Sequence, residues 1–262
     1  WIRRRPRGVT AVISPWNSPV LLGFRRWVPA VAGGNTVVLK PASYCPLTLM
    51  ECFRLLGPCF PVGVLNLVTG PGDIVGDRLV GDPRVSTIAF TGGTETGRQI
   101  VQRSAATLKK LSLELGGNDP AVVLQDAVLD NAAIERMTRA ILRSTGQVCV
   151  AVKRIYVHRS RHDELTEKLT AAFNRTVVGD GLNDETTMGP LNNRTQFDFV
   201  RGLLDHADRS GLNVKVCGRK LNPDGWDNGY FVQPAVVTRG THDDELVGCE
   251  QFGPVIPIVP FE

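Results

Sequence analysis

The sequence predicts an α/β protein built from a parallel-sheet domain followed by a second α/β domain. Two observations lead to this fold class. Short runs rich in Val, Ile and Leu alternate with longer amphipathic runs through the first half of the chain, which is typical of βαβ units whose strands are buried on both faces. The chain also has 262 residues, of which 42% are hydrophobic and 21% are charged. A chain of this size and composition can bury one large core or two ordinary ones.

Candidate strands recur in the first half of the chain, and a helix-like segment follows each of them. They are residues 9–14 (VTAVIS), 36–40 (TVVLK), 64–68 (VLNLV) and 86–90 (STIAF). Glycine and proline between these runs suit tight turns at strand and helix ends. Because ligands of open α/β sheets bind outside the carboxyl ends of the strands, the residues directly after these runs are the first site candidates.

A second block of the chain begins near Gly116. It holds an apolar run at residues 121–124 (AVVL), a helix-like run at 129–143 and a further apolar run at 154–158 (RIYVH). Polar, turn-rich stretches at 183–189 and 223–229 are predicted to be surface loops. We therefore expect one domain at residues 1–115 and another at residues 116–262.

Charge and cysteine usage exclude several classes of protein. The net charge of +4 is small and the two signs are interspersed, so we expect no nucleic-acid partner. The basic run Arg3–Arg5 is interpreted as a solvated strand entry. No apolar run approaches the roughly 18 residues that span a bilayer, so a soluble, cytoplasmic protein with no membrane partner is expected. The six cysteines are expected to be free thiols. His158 and His162 lie across a probable strand end, so no metal site is expected.

Two motifs carry candidate catalytic residues. Cys149 ends the motif GQVC, directly after a helix-like run. A lone cysteine is more often a small buried hydrophobe than a nucleophile. Its interpretation as a nucleophile gains support from LELGGN at residues 113–118, where Glu114 ends an apolar strand-like run. A carboxylate at that place is either a surface charge or a general base, and a base needs a reactive group opposite it.

Two further motifs follow predicted strands. PWNSP at residues 15–19 places Asn17 at a strand end, where the amide can donate to a developing oxyanion or serve as an ordinary turn residue. FTGGTETG at residues 90–97 runs from a strand through glycines into a helix. Backbone N–H groups and the helix dipole would face an anion there. Each motif is weak evidence when it is taken alone.

Together, in this order and spacing, the motifs resemble those of the NAD(P)-dependent, non-acylating aldehyde dehydrogenase superfamily. The resemblance covers essentially the whole chain and extends to VVLKPA at 37–42, MGPL at 188–191 and EQFGPV at 250–255. It implies a Rossmann-like cofactor domain and a catalytic domain, with the family's amino-terminal and carboxyl-terminal flanks missing. It also implies an oxidoreductase that converts an aldehyde into a carboxylic acid with NAD or NADP, through a cysteine hemithioacetal and a thioester.

The resemblance assigns a role to each candidate residue. Cys149 is implied to be the nucleophile, Asn17 an oxyanion donor, and Glu114 the base that activates water for thioester hydrolysis. A glutamate at 114 favours water over coenzyme A as the final acceptor. The residues implied to bind the cofactor are Ser14, Pro15, Trp16, Lys40, Ser43, Thr91, Gly92, Gly93, Gly97, Leu115, Glu250 and Phe252. Within this set, Lys40 and Glu250 are implied to hold the two riboses.

The chain departs from the family pattern at three positions. Ser43 stands where many NAD-preferring members carry a glutamate, whose charge would repel a 2′-phosphate, so NADP acceptance is expected. Gly93 replaces a serine that often meets a phosphate, and Ser144 replaces an asparagine common before the cysteine turn. A homo-oligomer is expected for the complete protein, because the family's carboxyl-terminal flank supplies an oligomerisation strand.

Two other functions compete with aldehyde oxidation. A catalytically inactive binding or structural protein on the same fold is favoured by the missing flanks, but the intact Cys149, Glu114 and Asn17 argue against it. An unrelated dinucleotide reductase would leave GQVC and LELGGN unexplained. The aldehyde is not identified, because the residues that shape its tunnel fall largely in the missing flank.

Overall fold

The computed structural model describes residue 1, residue 3 and residues 5–262. Arg4, which belongs to the basic run near the amino terminus, lies outside the described residues. The chain forms two compact units, Trp1–Gly116 and Gly117–Glu262. Each unit has a sheet in which parallel pairing dominates, with helices between the strands, so the predicted α/β fold class is confirmed.

The first unit alternates strands and helices. Its strands are β1 (Val9–Ile13), β2 (Thr36–Lys40), β3 (Leu65–Leu67), β4 (Val85–Thr91) and β5 (Lys110–Glu114). Its α-helices are α1 (Pro19–Ala32), α2 (Leu47–Leu56), α3 (Asp77–Gly81) and α4 (Thr94–Ser104). A π-helical turn, Gly72–Gly76, leads directly into α3.

The sheet of the first unit has the order β3-β2-β1-β4-β5, and all of its pairs are parallel. Along the sequence, β2 and β3 therefore extend the sheet on one side of β1, and β4 and β5 then extend it on the other side. Such a reversal opens a crevice at the carboxyl ends of the two central strands, where α/β proteins bind ligands. The register aligns Ile13 with Lys40 and with Phe90, and Thr91 with Glu114, so the predicted site residues of these strands end at one edge.

Alternate residues of the central strands feed two apolar clusters. Val12 packs in one cluster with Trp27 of α1, whereas Ala11 packs in the other with Ile100 of α4. Strands buried on both faces are rich in apolar residues, which is why VTAVI is apolar at every position except Thr10. The two clusters fix the strand ends that carry the site residues.

The second unit contains a larger sheet and a separate pair of short strands. Its strands are β6 (Pro120–Val123), β7 (Arg154–His158), β8 (Val177–Val178), β9 (Asn213–Val216), β10 (Arg219–Lys220), β11 (Ala235–Thr238) and β12 (Val255–Phe261). Its α-helices are α5 (Asn131–Leu142), α6 (His162–Phe173), α7 (Arg194–Arg209) and α8 (Glu245–Gly248). The carboxylate of Asp130 caps α5, and the amide oxygen of Asn193 caps α7.

The larger sheet has the order β6-β7-β12-β11-β9. Its pairs are parallel except for β9, which runs antiparallel to β11. Ile256 and Ile258 face one buried cluster, whereas Val255 faces the other. Helices α5 and α6 cover the first face and α7 covers the second, so the turn between α5 and β7 starts from a rigid core.

The two segments predicted to be surface loops contain little regular structure, but one of their residues is buried. Residues 223–229 include only a short 3₁₀ helix, Trp226–Asn228. Within 183–189, however, Met188 is buried and forms a β-bridge with Val178. The prediction of a surface loop was wrong at this residue, because its apolar side chain supports the strand pair beneath it.

Other features of the described residues concern membranes, metals and thiols. In this part of the chain no helix is long and apolar enough to cross a bilayer. No group of three His, Cys, Asp or Glu side chains among the described residues is arranged to hold a metal ion. His158 ends β7 and His162 begins α6, so the two histidines do not share a helix. All six cysteines are free thiols.

Candidate functional site

The switch point of the first sheet carries buried polar side chains. Ser14 follows β1 and Thr91 ends β4, at the two central positions of the sheet. The hydroxyl oxygens of both are buried and have no hydrogen-bond partner among the described residues. Buried polar atoms are usually paired, so these two hydroxyls could bond a polar group of a ligand at this edge.

Lys40 lies at the same edge, at the end of β2. Its side chain is buried, and its ammonium donates to the carbonyl of Pro41 at 3.0 Å. Burial lowers the pKa of this ammonium below its usual value, because desolvation disfavours the charged form. Gly76 lies beside the aliphatic part of the lysine, so the chain leading into α3 and the end of β2 form one wall.

Ser43 is exposed just beyond Lys40. Its hydroxyl donates to the carbonyl oxygen of Gly70 at 3.1 Å. The expectation of NADP acceptance rested on the missing negative charge at this position, and in the structure the hydroxyl proton is directed at the backbone. A phosphate could use it only if the hydroxyl rotated.

A cleft of about 920 Å³ opens beside the carboxyl ends of β1 and β4. The strand ends contribute Ile13 and Phe90, while α3 and α4 contribute Val80, Ile100 and Arg103. The outer wall carries an ion pair between Arg103 and Asp77. Sequence motifs did not identify this wall, because α3 and α4 are brought together only by the fold. Pro71 to Gly76, with two glycines in a short stretch, was the available signal.

The glycine turn after β4 is tightly packed. The N–H of Gly92 donates to the carbonyl of Glu114 at 3.0 Å, which ties the turn to β5. A Cβ on Gly92 would lie 2.5 Å from the Phe90 ring, and one on Gly97 would lie 2.6 Å from Leu115. Gly93 is exposed, forms the N-cap of α4 and has open space around it. Two of the predicted glycines are therefore required by close packing, and the third lies open at the helix start.

The segment between β1 and α1 carries Pro15, Trp16 and Asn17, which are all half-buried. The thiol of Cys45 donates to the carbonyl of Trp16 at 3.6 Å. Burial raises the pKa of this thiol above its usual value. Asn17 stands two residues before α1, which begins at Pro19. The predicted oxyanion donor is therefore held on a short link between a central strand and its helix.

Glu114 ends β5, and its side chain is 67% exposed. One carboxylate oxygen lies 3.3 Å from the guanidinium of Arg26 on α1. Arg26 also donates to the hydroxyl of Ser112 at 3.0 Å, so the guanidinium is anchored to the strand that carries the glutamate. The carboxylate is ionically paired but open to solvent, which suits a group that exchanges protons with water.

In the second unit, Cys149 follows a turn with unusual backbone geometry. Ser144, Thr145 and Gly146 have φ values of 51°, 59° and 73° in succession. Left-handed backbone is unfavourable for serine and threonine and easier for asparagine, so Ser144 occupies a position that the family's asparagine suits better. Successive residues of this kind persist only where the surroundings determine them.

Several hydrogen bonds hold this turn. The hydroxyl of Thr145 donates to the carbonyl of Gly189 at 3.1 Å, and the side-chain oxygen of Gln147 accepts from the N–H of Asn192 at 2.9 Å. A Cβ on Gly146 would lie 2.1 Å from the carbonyl oxygen of Gly253. The turn is thus pressed against the segment that contains Glu250 and Phe252, and the half-buried thiol of Cys149 sits on a rigid support.

Lys153 lies behind the turn and was not predicted from the sequence. Its ammonium donates to the carbonyl oxygens of Val148, Cys149 and Ala151 at 2.8, 3.0 and 3.3 Å. It also lies 3.5 Å from a carboxylate oxygen of Glu250 and 5.8 Å from the centre of the Phe252 ring. The available signal was a lone cation inside the apolar stretch between the cysteine and β7.

The predicted site residues fall into two groups, one in each unit. The first unit brings Ser14, Lys40, Thr91 and Glu114 to one edge of its sheet. The second unit brings the Cys149 turn, Glu250 and Phe252 together around Lys153.

Comparison with known proteins identifies what the chain resembles. The model of the aldehyde dehydrogenase family matches residues 1–262. Alpha-ketoglutaric semialdehyde dehydrogenase of Bacillus subtilis is 38% identical over 98% of the chain and 52% of its own length. NADP(+) succinate-semialdehyde dehydrogenase of Escherichia coli is 39% identical over 99% of the chain and 53% of its own length. The chain therefore spans about half the length of these curated relatives.

Solved structures resemble the chain over the same extent. An aldehyde dehydrogenase from Bacillus cereus matches with a TM-score of 0.93 and 37% identity, over 99% of this chain and 52% of its own. A mutant aldehyde dehydrogenase from Pseudomonas syringae, in complex with NAD+ and octanal, matches with a TM-score of 0.93 and 31% identity, over 99% of this chain and 53% of its own.

Proposed function

Since the chain belongs to the aldehyde dehydrogenase family, we propose that it carries the catalytic core of an NAD(P)-dependent, non-acylating aldehyde dehydrogenase. The observation that carries the proposal is the strained turn that supports Cys149, with successive left-handed residues held by hydrogen bonds and close packing. Backbone strain of this kind concentrates at functional sites.

The first unit fits a dinucleotide. The unpaired hydroxyls of Ser14 and Thr91 lie at the switch point. The cleft that begins at the preceding residues, Ile13 and Phe90, is large enough for a ligand of this class. Ser14 to Trp16, Thr91 to Gly93, Gly97 and Leu115 would line the cofactor, with Lys40 and Ser43 toward one ribose. Glu250 and Phe252 would serve the other ribose and the nicotinamide. When bound, the nicotinamide accepts the hydride that the aldehyde loses.

In the first half of the reaction, the Cys149 thiolate attacks the aldehyde carbon. A C–S bond forms, and the carbonyl electron pair moves to oxygen as an alkoxide. The amide of Asn17 and the backbone N–H of Cys149 donate to this oxyanion, which lowers the barrier most if both donors are already in place. The alkoxide then collapses as the hydride departs, which leaves a thioester on Cys149.

In the second half of the reaction, Glu114 takes a proton from water, and the oxygen of that water attacks the thioester carbon. The C–S bond breaks, the electron pair returns to sulfur, and a carboxylic acid leaves as its carboxylate. The exposure of Glu114 and its ion pair with Arg26 support this role, since the base needs access to solvent. Water is then the final acyl acceptor.

The proposals on substrate class and cofactor draw on the relatives, whereas those on localisation and assembly extend the expectations from the sequence. The substrate is proposed to be a small-molecule aldehyde of unspecified chain, and NADP is proposed to be accepted, as the name of the Escherichia coli relative states for that protein. We place the activity in the cytoplasm and the complete protein in a homo-oligomer.

The test is thioester trapping in the full-length protein. The protein is mixed with NADP and an aldehyde panel that includes octanal and succinic semialdehyde, quenched in acid, and digested for mass spectrometry. We expect the peptide that contains Cys149 to carry the acyl mass. Cys59→Ser removes an exposed thiol outside the site and serves as the control that should still trap. An acyl mass on another cysteine, or carboxylate that still accumulates in Cys149→Ser, would contradict the proposal.

A further inference from the structure

Lys153 satisfies an unusual set of partners for a buried ammonium. Only 2% of its side chain is exposed, and burying an ammonium without compensation is costly. Its three N–H groups are matched by three backbone carbonyl oxygens, and one carboxylate oxygen lies 3.5 Å away. The ammonium charge is therefore compensated by the cysteine turn on one side and by Glu250 on the other.

Two of the three carbonyls flank Cys149. The carbonyls of Val148 and Cys149 belong to the peptide groups on either side of the cysteine Cα, and Lys153 holds both at 2.8 and 3.0 Å. Fixing both peptide planes fixes the φ and ψ angles of the cysteine between them. The direction of the Cα–Cβ bond that carries the thiol is then set by a single ammonium.

The carbonyl of Val148 and the N–H of Cys149 are the two ends of one peptide group. A charge-assisted hydrogen bond to the carbonyl draws electron density from the nitrogen, so the N–H at the other end becomes a stronger donor. Lys153 therefore acts on the backbone group that would meet the oxyanion. Its effect on the thiol at longer range is smaller, because the carboxylate of Glu250 offsets the charge.

We propose that Lys153 is a positioning residue that orients the cysteine turn, polarises the Cys149 N–H for oxyanion stabilisation and couples the turn to Glu250. The proposal rests on the proposed function of Cys149. It predicts that loss of the ammonium slows acylation, which needs the oxyanion donor, more than simple alkylation of the thiol, which does not.

The experiment compares two rates in the full-length protein. Lys153→Met keeps an unbranched side chain that is one atom shorter and removes the donors, whereas Lys153→Gln keeps a neutral N–H donor. The first rate is the pre-steady-state burst of reduced cofactor, and the second is alkylation of Cys149 by iodoacetamide, followed by peptide mass spectrometry. We expect the burst rate of Lys153→Met to fall about 10-fold or more, part of the effect of deleting an oxyanion donor. Lys153→Gln should fall less, and alkylation should change less than about threefold in both.

Controls separate this inference from the function beneath it. Thermal unfolding shows which variants fold, and if Lys153→Met does not, the two rates of Lys153→Gln decide. A burst rate in the deciding variant within about threefold of the parent would overturn the role of Lys153. Equal losses in burst rate and alkylation rate would also overturn it, because they would mean that the cysteine itself is displaced. A burst that survives Cys149→Ser would instead overturn the proposed function. If the burst is lost in Cys149→Ser but unchanged in Lys153→Met, the inference about Lys153 is wrong and the proposed function stands.

Discussion

The turn that carries Cys149 and the strand end that carries Glu114 are held in opposite ways. Around Cys149, left-handed backbone, buried side chains and a buried ammonium leave little freedom. Glu114 extends from the last residue of β5 with 67% of its side chain exposed, and Arg26 is its ion-pair partner. The backbone of both segments is held by hydrogen bonds, but the Glu114 side chain is restrained only by its ion pair with Arg26 among the contacts described above.

The difference matches what each group would do. A nucleophile gains from being fixed in a near-attack position, because orientation is paid for in folding rather than in each turnover. A base that deprotonates water must reach the water and then release its proton to solvent. An exposed ion pair is weak, so the carboxylate of Glu114 can leave Arg26 at small cost. The substitutions below test this contrast, from the largest expected effect to the smallest.

Replacing the nucleophile should have the largest effect. Cys149→Ser should lower aldehyde oxidation by at least about 1,000-fold, because a serine hydroxyl without a strong base is a poor nucleophile near neutral pH. Cofactor binding should persist, since the substitution is nearly isosteric. Steady-state turnover and fluorescence titration with NADP measure the two properties. Turnover within a few-fold of the parent would remove Cys149 from the mechanism.

Disturbing the rigid support should cost stability as well as activity. Gly146→Ala combines a φ of +73° with a Cβ 2.1 Å from the carbonyl oxygen of Gly253, so we expect a loss of about 3–5 kcal/mol in the free energy of unfolding. Gly211→Ala is the matched control, because Gly211 has a φ of +82° with nothing within 4 Å. It should lose only about 1–2 kcal/mol, the backbone term alone.

Urea denaturation of both alanine variants measures the difference. A loss at residue 146 no larger than that at residue 211 would mean that the cysteine turn yields to the added methyl group. The contrast between a rigidly supported Cys149 and an exposed Glu114 would then not hold for Cys149.

Neutralising Glu114 should slow one step only. Glu114→Gln should leave acylation intact and slow thioester hydrolysis by roughly 100-fold, the scale of general-base assistance. Glu51→Gln removes a carboxylate from another exposed pair, with Arg54 on α2, and should change neither step. Rapid-quench mass spectrometry reports the acyl-enzyme. Normal turnover without acyl-enzyme in Glu114→Gln would assign the base to another residue.

The sequence predicted strands and helices better than it predicted the contacts between segments that lie far apart in the chain. Continuous apolar runs marked β2 and β7 to the residue, because strands buried on both faces admit little else. The helix-like run from residue 129 became a helix that begins at Asn131 after the Asp130 cap.

Other features depend on contacts between distant segments. Lys153 acquires its partners only when the cysteine turn folds over it and Glu250 approaches from 97 residues away in sequence. The cleft beside β1 and β4 exists only because α3 and α4 pack together. Residue type and spacing predicted candidate reactive side chains, but they could not show what supports those side chains.

The smallest expected effect concerns the choice of cofactor, and it depends on an exposed residue at the edge of the first unit. Ser43 donates to the carbonyl of Gly70, and Lys40 lies close in sequence with its ammonium directed at the carbonyl of Pro41. Ser43→Glu would place a carboxylate beside the ribose. It would accept from a 2′-hydroxyl and repel a 2′-phosphate, with a shift toward NAD of about 1–3 kcal/mol. Ser43→Ala removes the hydroxyl without adding a charge, so it distinguishes the effect of the lost hydroxyl from that of the added carboxylate. Because the hydroxyl donates to the backbone, this variant should change the cofactor preference by less than about 0.5 kcal/mol. The ratio of kcat/KM for NADP and NAD, measured at fixed salt because exposed charges are screened, gives each shift. A parent with strong NAD preference that Ser43→Glu leaves unchanged would show that residue 43 does not govern the choice, whereas a large effect of Ser43→Ala would show that the hydroxyl leaves Gly70 to bind the phosphate.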